Sequence, residues 1–472
     1  MLFFSLKFIL FFIVVFFLYW SISRPVYRKL VLLITSYIFY AAWDYRFLGL
    51  IFFSTALDYT VGIMLARVNQ VKQRKWLLFV SVFGNLGVLF AFKYFDFFTA
   101  SFIQLLSFFS IEADPLYLNV ILPLGISFYT FQTMSYTIDV YRRKIQPEKS
   151  VLNLAVFIAF FPQLTAGPIV RASVFLPQLA LKRRLQDVPW KGAVALFALG
   201  LFKKVVVADN CAPFVDAVFA DPTQYDAYSV VVAVFLFSIQ MYCDFSGYSD
   251  MAIALAKLLG FNFPINFAWP FFARNSAVLW SRWHISLSSW FRDYVYSPLI
   301  GTKRSRLRAD VSLMVTFLLS GLWHGAGWNF ILFGIMQGGA ILLFRFYKSI
   351  KKRLKISRNN PNSILVVLSI AITYLWFCFS GLFFRAQDLD TGIDMATILL
   401  TLSSQGAESL PSFALVIWAV FFMFHWLSWK VDLIEIADNM RPSLYGLVLG
   451  VYFAIIIAAT PSNDAPFVYF QF

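Results

Sequence analysis

Residues 306–353 read RLRADVSLMVTFLLSGLWHGAGWNFILFGIMQGGAILLFRFYKSIKKR, and this stretch decides the fold. Two apolar arms, 310–324 and 329–346, meet at Gly325-Ala326-Gly327, and both outer ends are basic: Lys303 to Arg308 and Arg345 to Arg358. Arms this long without a period of two read as helices, because lipid leaves no partner for unpaired backbone groups. Basic residues at both ends place both ends on the cytoplasmic face, the positive-inside pattern. His324 follows Arg308 by 16 residues. That is roughly 24 Å of helix, set against a hydrocarbon core of about 30 Å. His324 is therefore expected deep in a membrane, near the tip of a helical hairpin.

Similar runs recur outward from the hairpin, at 2–20, 29–48, 50–66, 77–95, 98–111, 118–138, 151–165, 192–208, 228–245, 363–384, 412–429 and 443–460. Several fall short of the ~20 residues of a full crossing. The expectation is an all-α polytopic integral membrane protein with about 11 transmembrane helices, plus re-entrant and interfacial helices. The chain is 60% hydrophobic and 13% charged, where soluble domains carry about 25% charged residues. Soluble, disordered and fibrous classes are excluded. The +15 net charge sits in short connectors, among them Arg67 to Lys75, Arg142 to Lys149 and Lys182 to Lys191. It reads as topology and affinity for an anionic inner leaflet, not as nucleic-acid binding. Cys211, Cys243 and Cys378 are isolated, with neither disulfide nor zinc spacing, and no metal site is expected. Met1 to Trp20, apolar but for Lys7, reads as an uncleaved first span.

Three segments carry candidate chemistry. An ionisable residue at the depth of His324 is a functional candidate, and a neutral imidazole suits a general base. The competing reading is a structural histidine bonded to a neighbouring helix. Gln240 to Asp250 (QMYCDFSGYSD) places Asp244, Ser246 and Asp250 at the end of an apolar span, as reactive groups or as caps and inter-helix bonds. Trp280 to Pro298 (WSRWHISLSSWFRDYVYSP) mixes rings and charges as interfacial segments do. Read as a helix over 280–295, it sets Arg282, Ser286, Ser289 and Asp293 toward water and His284 with Ser288 toward protein. Upstream, Phe261 to Pro270 breaks any helix. His425, in an aromatic run, reads as core. The aromatic end Pro466 to Phe472 reads as a docked tail, with Tyr469 as a hydroxyl that could enter a site. No P-loop, zincin, Rossmann or G-x-S-x-G pattern occurs.

Four segments taken in order resemble the membrane-bound O-acyltransferase family, in the bacterial branch of the alginate O-acetylases and the D-alanyl transfer proteins of teichoic acid synthesis. They are Pro162 to Arg171 (PQLTAGPIVR), Tyr242 to Asp250, Arg282 to Ser288 (RWHISLS) and Leu322 to Ala326 (LWHGA). The resemblance extends over nearly the whole chain, to an ending similar to the branch's Phe-x-Tyr-x-x-Phe. It implies a single domain over 1–472, with N-terminal helices to 140, a catalytic core over 150–346 and C-terminal helices and tail from 363, built around a funnel. It implies His324 as general base and His284 as the residue that orients substrate or stabilises an oxyanion. Tyr469 would be an acyl relay. Apart from what the resemblance implies, Trp283, Ser288, Trp323, Asn329, Asp244, Ser246 and Asp250 are candidate substrate- or donor-lining residues.

The activity so implied is transfer of acetyl from cytoplasmic acetyl-CoA across the bacterial inner membrane, with no tightly bound cofactor. The acceptor is an exported polysaccharide, reached through a periplasmic or membrane-anchored acetyltransferase partner. Alginate is the first choice of polymer; cellulose, peptidoglycan and D-alanylation of teichoic acid stay open. A transporter or flippase of an acylated or lipid-linked intermediate is the reading from another class, kept alive by Asp58, Asp96, Asp139 and Asp244. A scaffold for an export complex is the third.

Overall fold

A computed structural model describes residues 1–302, 305–354 and 362–461, and among these every regular element is helical. Among the described residues six stretches are long and apolar enough to cross a membrane, or seven if the bent pair Ala414–Lys430 and Leu433–Asn439 is one span. The two longest, Pro25–Arg67 with 43 residues and Val71–Phe108 with 38, each hold chain for two crossings at ~20 residues apiece. Each is interrupted near its middle. In the first, Asp44 is extended and its carboxylate caps Arg46 N at 2.9 Å; in the second, a π-helical turn spans Phe90–Tyr94. The expected span 98–111 falls three residues earlier, at Phe95–Phe108, while 118–138 and 151–165 become the shorter helices Ile126–Tyr141 and Val151–Ala159.

The chain divides into two compact units, Met1–Ala193 with Ala252–Pro264, and Val194–Met251 with Ile265–Phe472. In the first unit, Asp58 ties three helices together. Its buried carboxylate accepts from Ser81 Oγ at 2.5 Å, Thr137 Oγ1 at 2.8 Å and Asn85 Nδ2 at 3.0 Å. A carboxylate in an apolar bundle requires partners of this kind. Arg74 closes one end by donating to the carbonyls of Leu65, Val68 and Tyr141. The segment 252–264 joins through aromatic packing, with Phe175 and Phe261 stacked at 5.2 Å. Asp96 accepts from the Leu118 and Asn119 backbone, and Asp139 lies 3.8 Å from Lys144. These acids act as structural ties.

In the second unit, the expected span 228–245 is part of a 32-residue helix, Ala227–Leu258. Asp244, Ser246 and Asp250 therefore lie inside a helix rather than at its end, and the end-capping reading of this segment is overturned. The helix continues because its charges are paired. Lys204 Nζ sits 2.7 Å from both Asp209 and Asp244, and Lys203 Nζ is 2.7 Å from Asp250. Both lysines ride on a π-helical turn, Phe202–Ala208, which advances the backbone by the extra residue needed to aim neighbouring side chains at one helix. Close approach is set by Gly200 against Gly247, where a Cβ on either would fall within 2.6 Å of the other's carbonyl oxygen.

The hairpin forms as read, from Arg306–His324 and Trp328–Arg353. Its arms touch backbone to backbone. A Cβ on Gly321 would strike the Phe330 carbonyl, and one on Gly334 the Phe317 carbonyl. The expected helix over 280–295 is broken instead into Ser276–Arg282, Ile285–Phe291 and a π-helical turn Arg292–Tyr296.

Candidate active site

The break falls on His284, whose φ of 43° and ψ of 54° are left-handed. Such a conformation is costly for a residue with a Cβ and persists only where surroundings enforce it. Here the enforcer is Asn266. Its carbonyl accepts Ile285 N at 2.9 Å, and Ala268 N bonds the Arg282 carbonyl at 2.9 Å, so the upstream segment is laced to the break. The result buries adjacent residues, Trp283 and His284, which one regular helix would splay apart. Ser286, expected to face water, is buried for the same reason.

Asn266 also determines the state of the imidazole. Its Oδ1 accepts Ser286 N at 3.1 Å and Ser286 Oγ at 2.9 Å, and faces His284 Nδ1 at 3.2 Å; its Nδ2 donates to Ser249 Oγ at 3.1 Å. A backbone N–H can only donate, so the amide atom facing Ser286 N is the oxygen. An amide oxygen can only accept, so Nδ1 of His284 carries the proton. The neutral ring then has its lone pair on Nε2.

His324 ends the first arm of the hairpin, buried, with Gly325 extended behind it. Its ring lies edge-on to Trp323 at 5.0 Å and Phe384 at 5.1 Å. The same Trp323 ring stands 5.9 Å from that of His284, which packs edge-on against Phe245 at 4.6 Å. Both histidine rings thus stand against one indole. Asn329 fixes the hairpin tip by donating to the Ala386 carbonyl at 3.0 Å, and Gln337 joins Trp280 to Ser380 at 3.1 and 2.5 Å.

A cavity of about 330 Å³ opens between the broken helix and the hairpin. Ser288, one turn beyond His284, and Ser320, one turn before His324, are on its wall, with Thr316, Phe317, Arg292 and Arg345. Arg345 is held by Asp310 at 3.0 Å and the Tyr296 hydroxyl at 2.7 Å. Ser288 Oγ donates to the Trp283 carbonyl at 3.2 Å.

Sequence reading therefore names residues that the fold brings together, His284, His324, Trp283, Trp323 and Ser288, beside others that act as ties: Asp244 and Asp250 in ion pairs, Asn329 in the tip. Ser246 is buried on the long helix. Tyr469 lies outside the described residues. Asn266 was missed; its one signal was a polar residue in a proline-broken stretch between two apolar segments. His425 is enclosed by Tyr242, Phe272 and Phe421, with ring centroids 5.0 to 5.2 Å away. Among the described residues no three His, Cys, Asp or Glu side chains converge as metal ligands.

The sequence profile of the membrane-bound O-acyltransferase family matches residues 140–385, just over half of the chain, with both histidines inside the match. The chain belongs to this family. It is a membrane-bound acyltransferase, and its relatives agree. A probable alginate O-acetylase of Azotobacter vinelandii is 38% identical over 373 residues, 78% of this chain and 72% of that protein. A probable alginate O-acetylase of Pseudomonas putida is 33% identical across the full length of both. A peptidoglycan O-acetyltransferase of Helicobacter pylori is 33% identical over 398 residues, 79% of this chain and 73% of that one.

Proposed function

We propose that this acyltransferase carries acetyl from cytoplasmic acetyl-CoA across the bacterial inner membrane for O-acetylation of an exported polysaccharide, alginate or a related exopolysaccharide, delivered through a periplasmic or membrane-anchored acetyltransferase partner. The observation that carries the reading is the pair of buried histidines whose ring centroids stand 5.9 and 5.0 Å from that of Trp323, each one helical turn from a serine that lines the cavity, Ser288 or Ser320. His324 takes the proton of the acceptor hydroxyl, the oxygen attacks the thioester carbonyl, the C–S bond breaks, and the imidazolium returns the proton to the departing thiolate. His284, with Nδ1 donating to Asn266, presents Nε2 as an acceptor; this supports the orienting role, since stabilising an oxyanion would require a protonated ring. Tyr469 is the candidate first acceptor, holding acetyl as an ester before handing it on. The names of the Azotobacter and Pseudomonas relatives favour alginate, and that of the Helicobacter relative keeps peptidoglycan as the second polymer.

The test uses purified protein in nanodiscs with radiolabelled acetyl-CoA, following CoA release and label on protein. His324→Ala is expected to lose CoA release by two orders of magnitude or more, in the range of a removed general base, while Tyr469→Phe loses protein-bound label. Full CoA release by a well-folded His324→Ala variant would remove the histidine from the chemistry.

A further inference from the structure

The first unit holds a second cavity, of about 450 Å³, where the first two helices meet the segment 178–184. Its floor is apolar and buried: Tyr19, Leu32, Leu179 and Phe261. Its wall carries six cationic side chains, Arg24, Arg28, Lys29, Lys182, Arg183 and Arg184, and no carboxylate. Only Arg184 has an ion-pair partner among the described residues, Asp187 at 3.2 Å. Connector charges that merely set topology would splay into water, whereas three of these are braced, Lys29 by donating to Asn153 Oδ1 at 2.8 Å. Arg28 donates to the carbonyls of Ile22 at 2.6 Å and Arg183 at 2.8 Å, and its guanidinium lies 5.3 and 5.0 Å from the rings of Tyr19 and Trp20. Arg183 rests 5.1 Å over Phe261 and donates to Gln178 Oε1 at 3.0 Å; the same amide is bonded both ways to the Asn262 backbone. Gly260, at a φ of 85°, leaves the space the Arg183 stem fills, since a Cβ there would stand 2.8 Å from its Cδ.

The helix beginning at Pro25 adds to the imbalance. Its first turn has no acidic residue, its cap makes no side-chain hydrogen bond, and Arg24, Arg28 and Lys29 gather at its positive end. Cations there are the wrong sign for the helix dipole, and the arrangement is stable when an anion shares the site. Planar guanidinium groups that are already oriented, beside flexible ammonium groups, match phosphate oxygens. The apolar floor suits a ligand with a non-polar body, and the volume lies in the ordinary range for small-molecule sites.

We infer that this cavity binds a phosphate-bearing amphiphile, its phosphates on Arg24, Arg28, Lys182 and Arg183 and its non-polar part against Tyr19 and Phe261. Two sources share that chemistry, the phosphates of a soluble coenzyme A and the headgroup of an anionic phospholipid. The inference does not depend on which histidine does the chemistry.

Two probes separate the sources: labelled coenzyme A with protein in phosphatidylcholine nanodiscs, and phosphatidylglycerol, counted by native mass spectrometry on protein released from mixed bilayers. One of them is expected to bind, more weakly at high salt. The double variant Arg24→Gln with Lys182→Gln, whose side chains make no hydrogen bond within the described structure, is expected to weaken that binding roughly tenfold or more. A thermal melt alongside shows the variant folded. Binding by coenzyme A alone assigns a nucleotide-phosphate site, and by phosphatidylglycerol alone a lipid site. Absence of both, or binding that the double variant leaves unchanged, overturns the inference. His324→Ala serves as the separating control: it is expected to lose acetyl transfer and keep this binding.

Discussion

At the scale of single residues, Asn266 does the most with the least chemistry. One amide oxygen holds the Ser286 backbone, the Ser286 hydroxyl and the Nδ1–H of His284, and one backbone carbonyl holds the left-handed turn in place. The tautomer is open to direct measurement because the chain has three histidines. With ring-¹⁵N histidine, the resonance lost in His284→Ala should carry the Nδ1–H signature, and an Nε2–H signature would contradict the assignment. Asn266→Ala removes the acceptor and is expected to reduce kcat roughly 10- to 100-fold, as losing the partner that orients a functional imidazole does. KM should change less. Asn266→Asp still accepts from Nδ1 and lets the Ser249 hydroxyl donate instead, so it should keep the tautomer and most of the rate. A purely structural asparagine would show neither the loss of kcat at nearly constant KM in the alanine variant nor the rescue by aspartate.

At the scale of elements, the long helix Ala227–Leu258 shows what sequence can and cannot convey. Apolar runs fix its first part, and the glycine-bearing hairpin is legible from its two basic ends. The polar run from Asp244 to Asp250 reads as a terminus because the charges that neutralise it lie some forty residues upstream, on a π-helical turn no periodicity reveals. The break at His284 is hidden likewise: a 3.6-residue stripe can be drawn through 280–295, and only Asn266, across a proline-containing loop, overrides it. The lysine network makes a testable claim of its own. Lys204→Met strands two buried carboxylates and is expected to destabilise the protein by about 3–5 kcal/mol, read as a lower melting temperature in detergent. Adding Asp209→Asn and Asp244→Asn should recover most of the loss, because neutral amides do not repel. A triple variant as unstable as the single one would mean that Lys204 contributes packing and not charge.

At the scale of the molecule, orientation in the bilayer decides which face meets the donor, and the second unit carries a charge asymmetry that predicts it. The hairpin's open end is basic: Arg306 and Arg308 begin one arm, and Lys351, Lys352 and Arg353 close the other. Its tip is tied to the opposite kind of surface. Asn329 bonds the Ala386 carbonyl, and Arg385 alongside reaches Asp216 at 2.6 Å, on the helix that leads into Asp221 to Asp226. That connector pairs with the stretch around Glu408 through Asp226 N and Glu408 N, at 2.9 and 3.0 Å, and 221–226 and 402–411 contain acids but no Lys or Arg. Positive-inside logic then sets the open end in the cytoplasm and the acidic connectors outside. The native thiols do not interfere with a labelling test, since Cys211, Cys243 and Cys378 are all buried. Ser305→Cys and Lys351→Cys are expected to react with an impermeant maleimide in inverted vesicles and not in intact cells. Ala407→Cys, on an exposed connector residue, should do the reverse. The opposite pattern would put the hairpin's basic end outside and overturn the cytoplasmic orientation, while leaving the histidine chemistry untouched.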